Sequence, residues 1–252
     1  MPEQNELLDE TLVQRLYNAF QTFDPNSVKQ AVNFANEFTQ LMSNYKCAIL
    51  QTETKLNILN EGFSLKQERT PIESIHSRVK SPESIAEKLR RRNYPLTLDS
   101  MQYNLDDIAG VRVVCSFIDD IYMVEKYLTD QDDIRVIARK DYIEKPKENG
   151  YRSLHLIIET PIYLPTEKKY VKVEIQLRTI AMEFWGNLEH QLRYKKDLDE
   201  NKLQQISSDL KECAEISNML DIKMQRIRYL IEKEEVPGEG APEQNNEEDP
   251  EQ

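Results

Sequence analysis

Glu174, Gln176 and Arg178 alternate with Val173, Ile175 and Leu177 in the segment VKVEIQLRT, the period of a strand that buries one face and opens the other. The open face then presents a carboxylate, an amide and a cation about 6.6 Å apart, so Glu174 and Gln176 are spaced to touch neighbouring parts of one small ligand. A solvated strand surface has the same pattern. The preceding segment KENGYRSLH adds Lys147, Tyr151, Arg152 and His155. Asn149-Gly150 bends the chain. Tyr151 offers a ring for base stacking or for core packing, and Lys147 and Arg152 are available for phosphate. His155 shares strand parity with Ser153, which allows a place on the active face or a structural hydrogen bond.

A second cluster lies upstream. Six basic residues and two acids fall between Arg78 and Arg92. Ser84, Lys88 and Arg91 are spaced i, i+4 and i+7, which puts a hydroxyl and two cations on one helical face beside an apolar edge of Ile85 and Leu89. Arg78 and Lys80 precede the helix near its positive end, where unpaired N–H groups favour anions. Together they have the make-up of a polyphosphate cradle, though a solvated basic helix shares the pattern. In DDIAGVR, Asp107 stands just ahead of an apolar strand and Arg112 on it. A hard oxygen ligand there suits Mg²⁺, which takes one or two carboxylates and leaves its other positions to water and phosphate, with Glu174 as the second carboxylate. Turn residues entering a strand would look alike. His76, His155 and His190 lack metal-ligand spacing, and Trp185 reads as a packing residue.

Composition narrows the possibilities. No run approaches the roughly 18 apolar residues of a membrane helix, and the acidic N-terminus is unlike a secretory signal, so a soluble cytoplasmic protein is expected. Cys47, Cys115 and Cys213 form no CxxC pair, which speaks against a disulfide framework or structural zinc; Cys115, in an apolar run, is expected to be buried. Of the net charge of −12, half resides in residues 237–252, which hold six acids and no Lys or Arg. The mildly acidic body argues against broad nucleic-acid binding while permitting a local phosphate site.

Several elements must position these residues. Helical spacing links Leu12, Leu16, Phe20 and Phe23, then Phe34, Phe38, Leu41 and Tyr45, then residues 47–59, with breaks expected at Asp24-Pro25-Asn26 and Glu61-Gly62. Ser81 and Pro82 open a helix as N-cap and first helical residue. Strands are expected in GVRVVCSF, DIRVIA and at about 151–159 and 170–178, with a helix through DDIYMVEKYL. This order predicts an α+β fold, a mixed sheet of about five strands covered by helices. Residues 203, 206, 210, 213, 217, 220, 224, 227 and 231 keep a 3-4 alternation, apolar except Ser217, as in a coiled-coil seam. Such a seam serves packing on its own domain or self-association equally well. The Pro- and acid-rich tail reads as disordered.

In order, RVKSPESIAEKLRR, DIAGVRVVC, KDYIEKPKENGYRSLH, VEIQLRT and EH resemble the synthetase domain of the RelA/SpoT family, most closely the single-domain small alarmone synthetases of the RelP-like branch. The resemblance covers about residues 70–195. It implies a nucleotidyltransferase-like fold and transfer of pyrophosphate from ATP to the 3'-hydroxyl of GDP or GTP, giving ppGpp or pppGpp and AMP. By resemblance, Arg78 and Arg112 sandwich the adenine and Lys80, Ser84, Lys88 and Arg91 hold the rest of ATP. Asp107 binds Mg²⁺, and Glu174 approaches the metal and draws the 3'-hydroxyl proton. Tyr151 stacks on guanine, while Lys140, Lys147, His155 and Gln176 line the acceptor pocket. The implied organisation is an N-terminal helical region over 1–69, a catalytic core over 70–195, an oligomerisation helix over 196–235 and an acidic tail over 236–252, with a homotetramer as the assembly. Glu183 departs from the Asn of some relatives. The family's long enzymes carry a hydrolase with a His-Asp motif; no His-Asp dipeptide occurs here and no histidine precedes His76, so synthesis without hydrolysis is expected. A different acceptor, an adenine nucleotide or a tRNA 3' end, and a non-catalytic nucleotide- or RNA-binding oligomer are the competing readings.

Overall fold

The computed structural model describes residues 25–67, 69–193 and 200–234. The pattern from Leu12 to Phe23 and the acidic tail lie outside the described residues. Five strands, β1 (Ile72–Val79), β2 (Ala109–Cys115), β3 (Arg135–Asp141), β4 (Leu154–Tyr163) and β5 (Lys168–Thr179), form one mixed sheet in the order β1-β2-β5-β4-β3. Only β2 and β5 pair in parallel. The helices among the described residues are α1 (Pro25–Gln67), α2 (Pro82–Arg91), α3 (Leu98–Asn104), α4 (Ile118–Thr129), α5 (Ile180–Arg193) and α6 (Glu200–Glu234). This is the α+β architecture that the order of elements predicts.

The alternation in β5 decides which side is core. Val171, Val173, Ile175 and Leu177 are buried beneath α1 and α4, where Leu56 and Ile121 have no exposure, while Lys172, Glu174 and Gln176 on the other face stay half-buried. Each fully buried aliphatic side chain of this kind stabilises the fold by roughly 1.5–3 kcal/mol. The core therefore forms a floor, and the chemistry-bearing face stands above it.

Helix α3 was not foreseen, and three other elements differ from expectation. The helical patterns at Phe34–Tyr45 and 47–59 are one unbroken helix, α1, which runs through the break expected at Glu61-Gly62. A Cβ on Gly62 would meet nothing within 4 Å, so it sits on the open side of α1, where a glycine costs only about 1 kcal/mol and the packed side chains Tyr45, Leu56 and Phe63 override it. Strand β1 was not apparent in the sequence. Its residues IESIHSRV are mostly polar, because it is an edge strand paired on one side only, with β2. Arg78 is therefore a strand residue rather than part of an approach to the helix. Third, the seam on α6 divides. Ile206, Leu210 and Ala214 pack with Trp185, and the inward face continues through polar groups: Ser217 Oγ donates to the Ala181 carbonyl and Asp221 accepts from Thr179. Cys213 is exposed in place of Ala214, and Leu220, Met224, Ile227 and Ile231 are each about half exposed.

Candidate active site

Register brings separated sequence motifs into rows across the sheet. One row runs His76, Arg112, Gln176, His155 and Lys140, from β1 to β3. The next runs Arg78, Gly110 and Glu174. Directly paired residues share a face, so both rows stand over the core. His76, Arg78, Asp107, Gly110, Arg112, Glu174 and Gln176 line one cleft of about 190 Å³.

Helix α2 forms one wall. Ser81 caps it, accepting a hydrogen bond from the Ser84 amide at 3.3 Å, and Pro82 occupies its first turn, as the sequence predicts. Ile85 and Leu89 bury the adjoining face. This turns Lys88 toward the sheet, where its Nζ lies 2.6 Å from Asp107 Oδ2, and Lys80 Nζ reaches the same oxygen at 3.0 Å. Burial pushes the Asp107 carboxyl up, but hydrogen bonds from Lys88 and Lys80 outweigh it and hold the group below its ordinary value. Ser84 and Arg91 remain exposed, Ser84 Oγ accepting from the Ser81 hydroxyl. The other Asp107 oxygen, Oδ1, is buried with no protein partner. A buried, ionised carboxylate oxygen left unpartnered beside a second carboxylate fits a divalent cation. No cluster of three or more His, Cys, Asp or Glu could hold a metal among the described residues, so the other positions of such an ion fall to water and phosphate.

Glu174 lies between the two walls. Gln176 Nε2 donates to its Oε2 at 2.9 Å, and His155 Nδ1 lies 3.5 Å from Oε1. Burial raises its pKa, the His155 and Gln176 contacts lower it, Asp107 raises it, and the net direction is downward. Four partly buried carboxylates, Asp107, Asp141, Glu174 and Glu183, are depressed in this way. A depressed folded-state pKa contributes stability that is complete above the ordinary value and lost as pH falls through the folded one. Asp221, raised by burial, titrates in the opposite sense. With ordinary values of 3.8 and 4.5, the melting temperature should hold from pH 7 to 5 and fall by about 3 °C or more by pH 3.5; calorimetry showing a flat or rising profile would contradict this balance.

The residues expected on the acceptor side gather around Tyr151. Its hydroxyl lies 2.8 Å from His155 Nε2 and accepts from Arg178 Nη2 at 2.6 Å. Tyr142 meets Tyr151 and His155 edge-on, at centroid distances of 6.1 and 5.3 Å. Lys147 Nζ lies 4.7 Å from the Tyr151 ring centre and the Arg178 guanidinium carbon 5.0 Å, so two cations bracket the ring. Lys140 is exposed at the end of its row. Gly150 makes this corner possible: its φ is +87°, and a Cβ there would come 2.5 Å from that of Ala214 on α6. Gly150→Ala should cost about 2 kcal/mol or more in unfolding free energy, read by denaturant titration, where a change below 0.5 kcal/mol would refute the close approach.

Two residues raised by the sequence stand elsewhere. Arg152 donates to the carbonyls of Gly150 and Ala214, which ties the loop to α6 rather than offering a phosphate contact. Ser153 is buried and donates to the Leu177 carbonyl, so His155 reaches the open face without it. Trp185 is a packing residue, as read, with its indole N–H donating to the Leu210 carbonyl. Burial pushes the Cys115 thiol up, in keeping with its expected place in the core. Sequence reasoning gave no role to Arg178, whose alternation with Glu174 and Gln176 was the available signal. Nor did it foresee Tyr142, which had no signal.

Residues 77–199 match the family model described as the region found in RelA / SpoT proteins. The chain is 50% identical over 188 residues to the GTP pyrophosphokinase YwaC of Bacillus subtilis, spanning 75% of this chain and 89% of that protein. To the GTP pyrophosphokinase YjbM of the same organism it is 37% identical over 190 residues, 75% and 87% of the two chains. The crystal structure of small alarmone synthetase 1 from Bacillus subtilis, bound to its product pppGpp, matches with a TM-score of 0.69 at 34% identity, over 78% of this chain and 99% of that one. The chain belongs to the RelA/SpoT family, within its class of small alarmone synthetases.

Proposed function

We propose that this chain is a (p)ppGpp synthetase, an ATP:GDP/GTP 3'-pyrophosphokinase without hydrolase activity, working in the bacterial stringent response. The observation that carries the reading is the cleft itself: two carboxylates, Asp107 with an unpartnered oxygen and Glu174, stand between a cationic wall and an aromatic one. Arg78 and Arg112 are diagonal neighbours on paired strands, a separation of roughly 7–8 Å, which suits a planar base in contact with a guanidinium on each side. Lys80, Ser84, Lys88 and Arg91 would then hold the polyphosphate. With ATP bound, the lysines can exchange Asp107 for phosphate oxygens and free the carboxylate. Tyr151 would stack on guanine, with Lys140, Lys147, His155 and Gln176 around the acceptor.

The acceptor 3'-oxygen bonds to the β-phosphorus of ATP while the bond from that phosphorus to the oxygen bridging the α-phosphorus breaks; AMP leaves with the electron pair, and Glu174 takes the 3'-hydroxyl proton. Transfer of this kind depends mostly on positioning and charge neutralisation, so no covalent nucleophile is required. Asp107 and Glu174 would hold Mg²⁺, which neutralises phosphate charge when bound. The depressed pKa keeps Glu174 ionised at neutral pH, at the expense of basicity that a loose transition state scarcely demands.

The half-exposed apolar residues of α6, together with Phe184, Leu188 and Leu192 of α5, support a homotetramer. No helix among the described residues is long and apolar enough to cross a membrane, which accords with a cytoplasmic enzyme. Nucleotide chromatography after incubation with Mg²⁺, ATP and, separately, GDP, GTP, ATP alone or tRNA tests the reading. AMP with ppGpp or pppGpp supports it, AMP with another product moves the acceptor, and no AMP under any acceptor overturns it.

A further inference from the structure

Between the donor and acceptor groups lies one carboxylate that the reaction itself does not call for. Thr179 ends β5 and caps α5, its Oγ1 accepting from the Met182 amide, which places Glu183 in the first turn of that helix, where a negative charge is favoured. From there the side chain reaches back over the sheet. Arg112 Nη1 donates to Glu183 Oε1 at 2.8 Å, and Arg178 Nη1 donates to Oε2 at 2.9 Å. One oxygen thus serves the arginine facing the adenine and the other serves the arginine against Tyr151.

The Arg178 end is tightly built. Arg178 is 5% exposed, its Nη2 donates to the Tyr151 hydroxyl and to Gln176 Oε1 at 3.1 Å, and its Nε has no partner. Gly186 makes room for it: a Cβ there would lie 3.0 Å from Nη1. A buried guanidinium with so little freedom follows its anchoring carboxylate. Asn187 Nδ2 supports the outer side of Glu183 at 3.0 Å. The connected path is Arg112, Glu183, Arg178, Tyr151, from one expected nucleotide pocket to the other.

Resting on the functional reading above, we infer that Glu183 is a positioning residue that couples the two nucleotide pockets, so that filling one strengthens binding in the other. A base stacked on Arg112 holds that guanidinium still and, through it, the shared carboxylate. Arg178 and Tyr151 are then ordered before the guanine nucleotide arrives, and the second ligand meets a smaller ordering cost. By linkage the effect is the same in both directions.

The test is calorimetric titration with α,β-methylene-ATP, which cannot transfer its pyrophosphate, in the absence and presence of saturating GDP, and the reverse titration. The wild-type chain should bind each nucleotide about fivefold or more tightly when the other is present. Glu183→Gln, which keeps the shape and loses the charge, should bring that ratio to about one. Asn187→Ala, on the exposed side of α5, should lower it partly, and it remains a test if Glu183→Gln fails to fold. A purely structural role would weaken both affinities and leave the ratio standing. An unchanged ratio in Glu183→Gln, or in Asn187→Ala alone if the first variant does not fold, overturns the inference while the synthetase reading survives. Wild-type protein that binds neither nucleotide overturns both.

Discussion

Glu174→Gln lowers the rate of pyrophosphate transfer by about a thousandfold or more while leaving nucleotide affinities within about threefold of the parent. A general base contributes about 10² to 10⁴ in rate, and Glu174 is also one of the two carboxylates that would hold Mg²⁺ in the proposed site, so both losses fall on turnover. Binding should survive because glutamine has the same shape and can still accept from Gln176 Nε2, as Glu174 does at 2.9 Å. Removing a negative charge from a cleft that receives polyphosphate does not weaken ATP binding by repulsion. Single-turnover kinetics alongside calorimetry separates the two effects. Near-full turnover in this variant would remove Glu174 as the base, and a collapse in both affinities would make it a structural residue.

Asp107→Asn should lower turnover by about a hundredfold or more, with a distinct signature in binding. Asp107 has two jobs in the structure: Oδ2 neutralises Lys80 and Lys88, and Oδ1 is buried without a partner. Asparagine ends the first job and impairs the second. The two ammonium groups are then free for phosphate before any metal binds, so α,β-methylene-ATP should bind at least as tightly as to the parent without Mg²⁺. The Mg²⁺ concentration that supports half-maximal turnover should rise about tenfold or more. Weaker metal-free ATP binding would contradict the competition between Asp107 and phosphate for the lysines. An unaltered Mg²⁺ requirement would remove Asp107 as a ligand.

These residues differ in how legible they were. Helix α2 was readable because its determinants are local: Ser81, Pro82 and the spacing of Ser84, Ile85, Lys88 and Leu89 lie within one short segment. The polar face of β5 was readable for the same reason, since alternation fixes a strand's two sides. What joins them was not local. The pairing of Arg112 with Gln176 and of Gln176 with His155 depends on the order of strands, which no single segment encodes. Strand β1 was hidden because an edge strand buries little and shows no clean alternation. Arg152 illustrates the opposite failure: a cation beside Tyr151 suggests phosphate, yet its guanidinium is occupied by two backbone carbonyls. The seam on α6 was legible as periodicity but not as partner, because apolar spacing does not reveal that polar groups such as Ser217 and Asp221 make the inward contacts.

The most direct test follows the transferred group. ATP labelled at its β-phosphorus is incubated with the protein, Mg²⁺ and GDP, and the products are separated and counted. The account predicts that the label appears in the 3'-pyrophosphate of ppGpp, with one AMP released for each labelled product. Label recovered as free pyrophosphate or inorganic phosphate, with no labelled guanosine nucleotide, would contradict attack by the guanosine 3'-hydroxyl on the β-phosphorus of ATP.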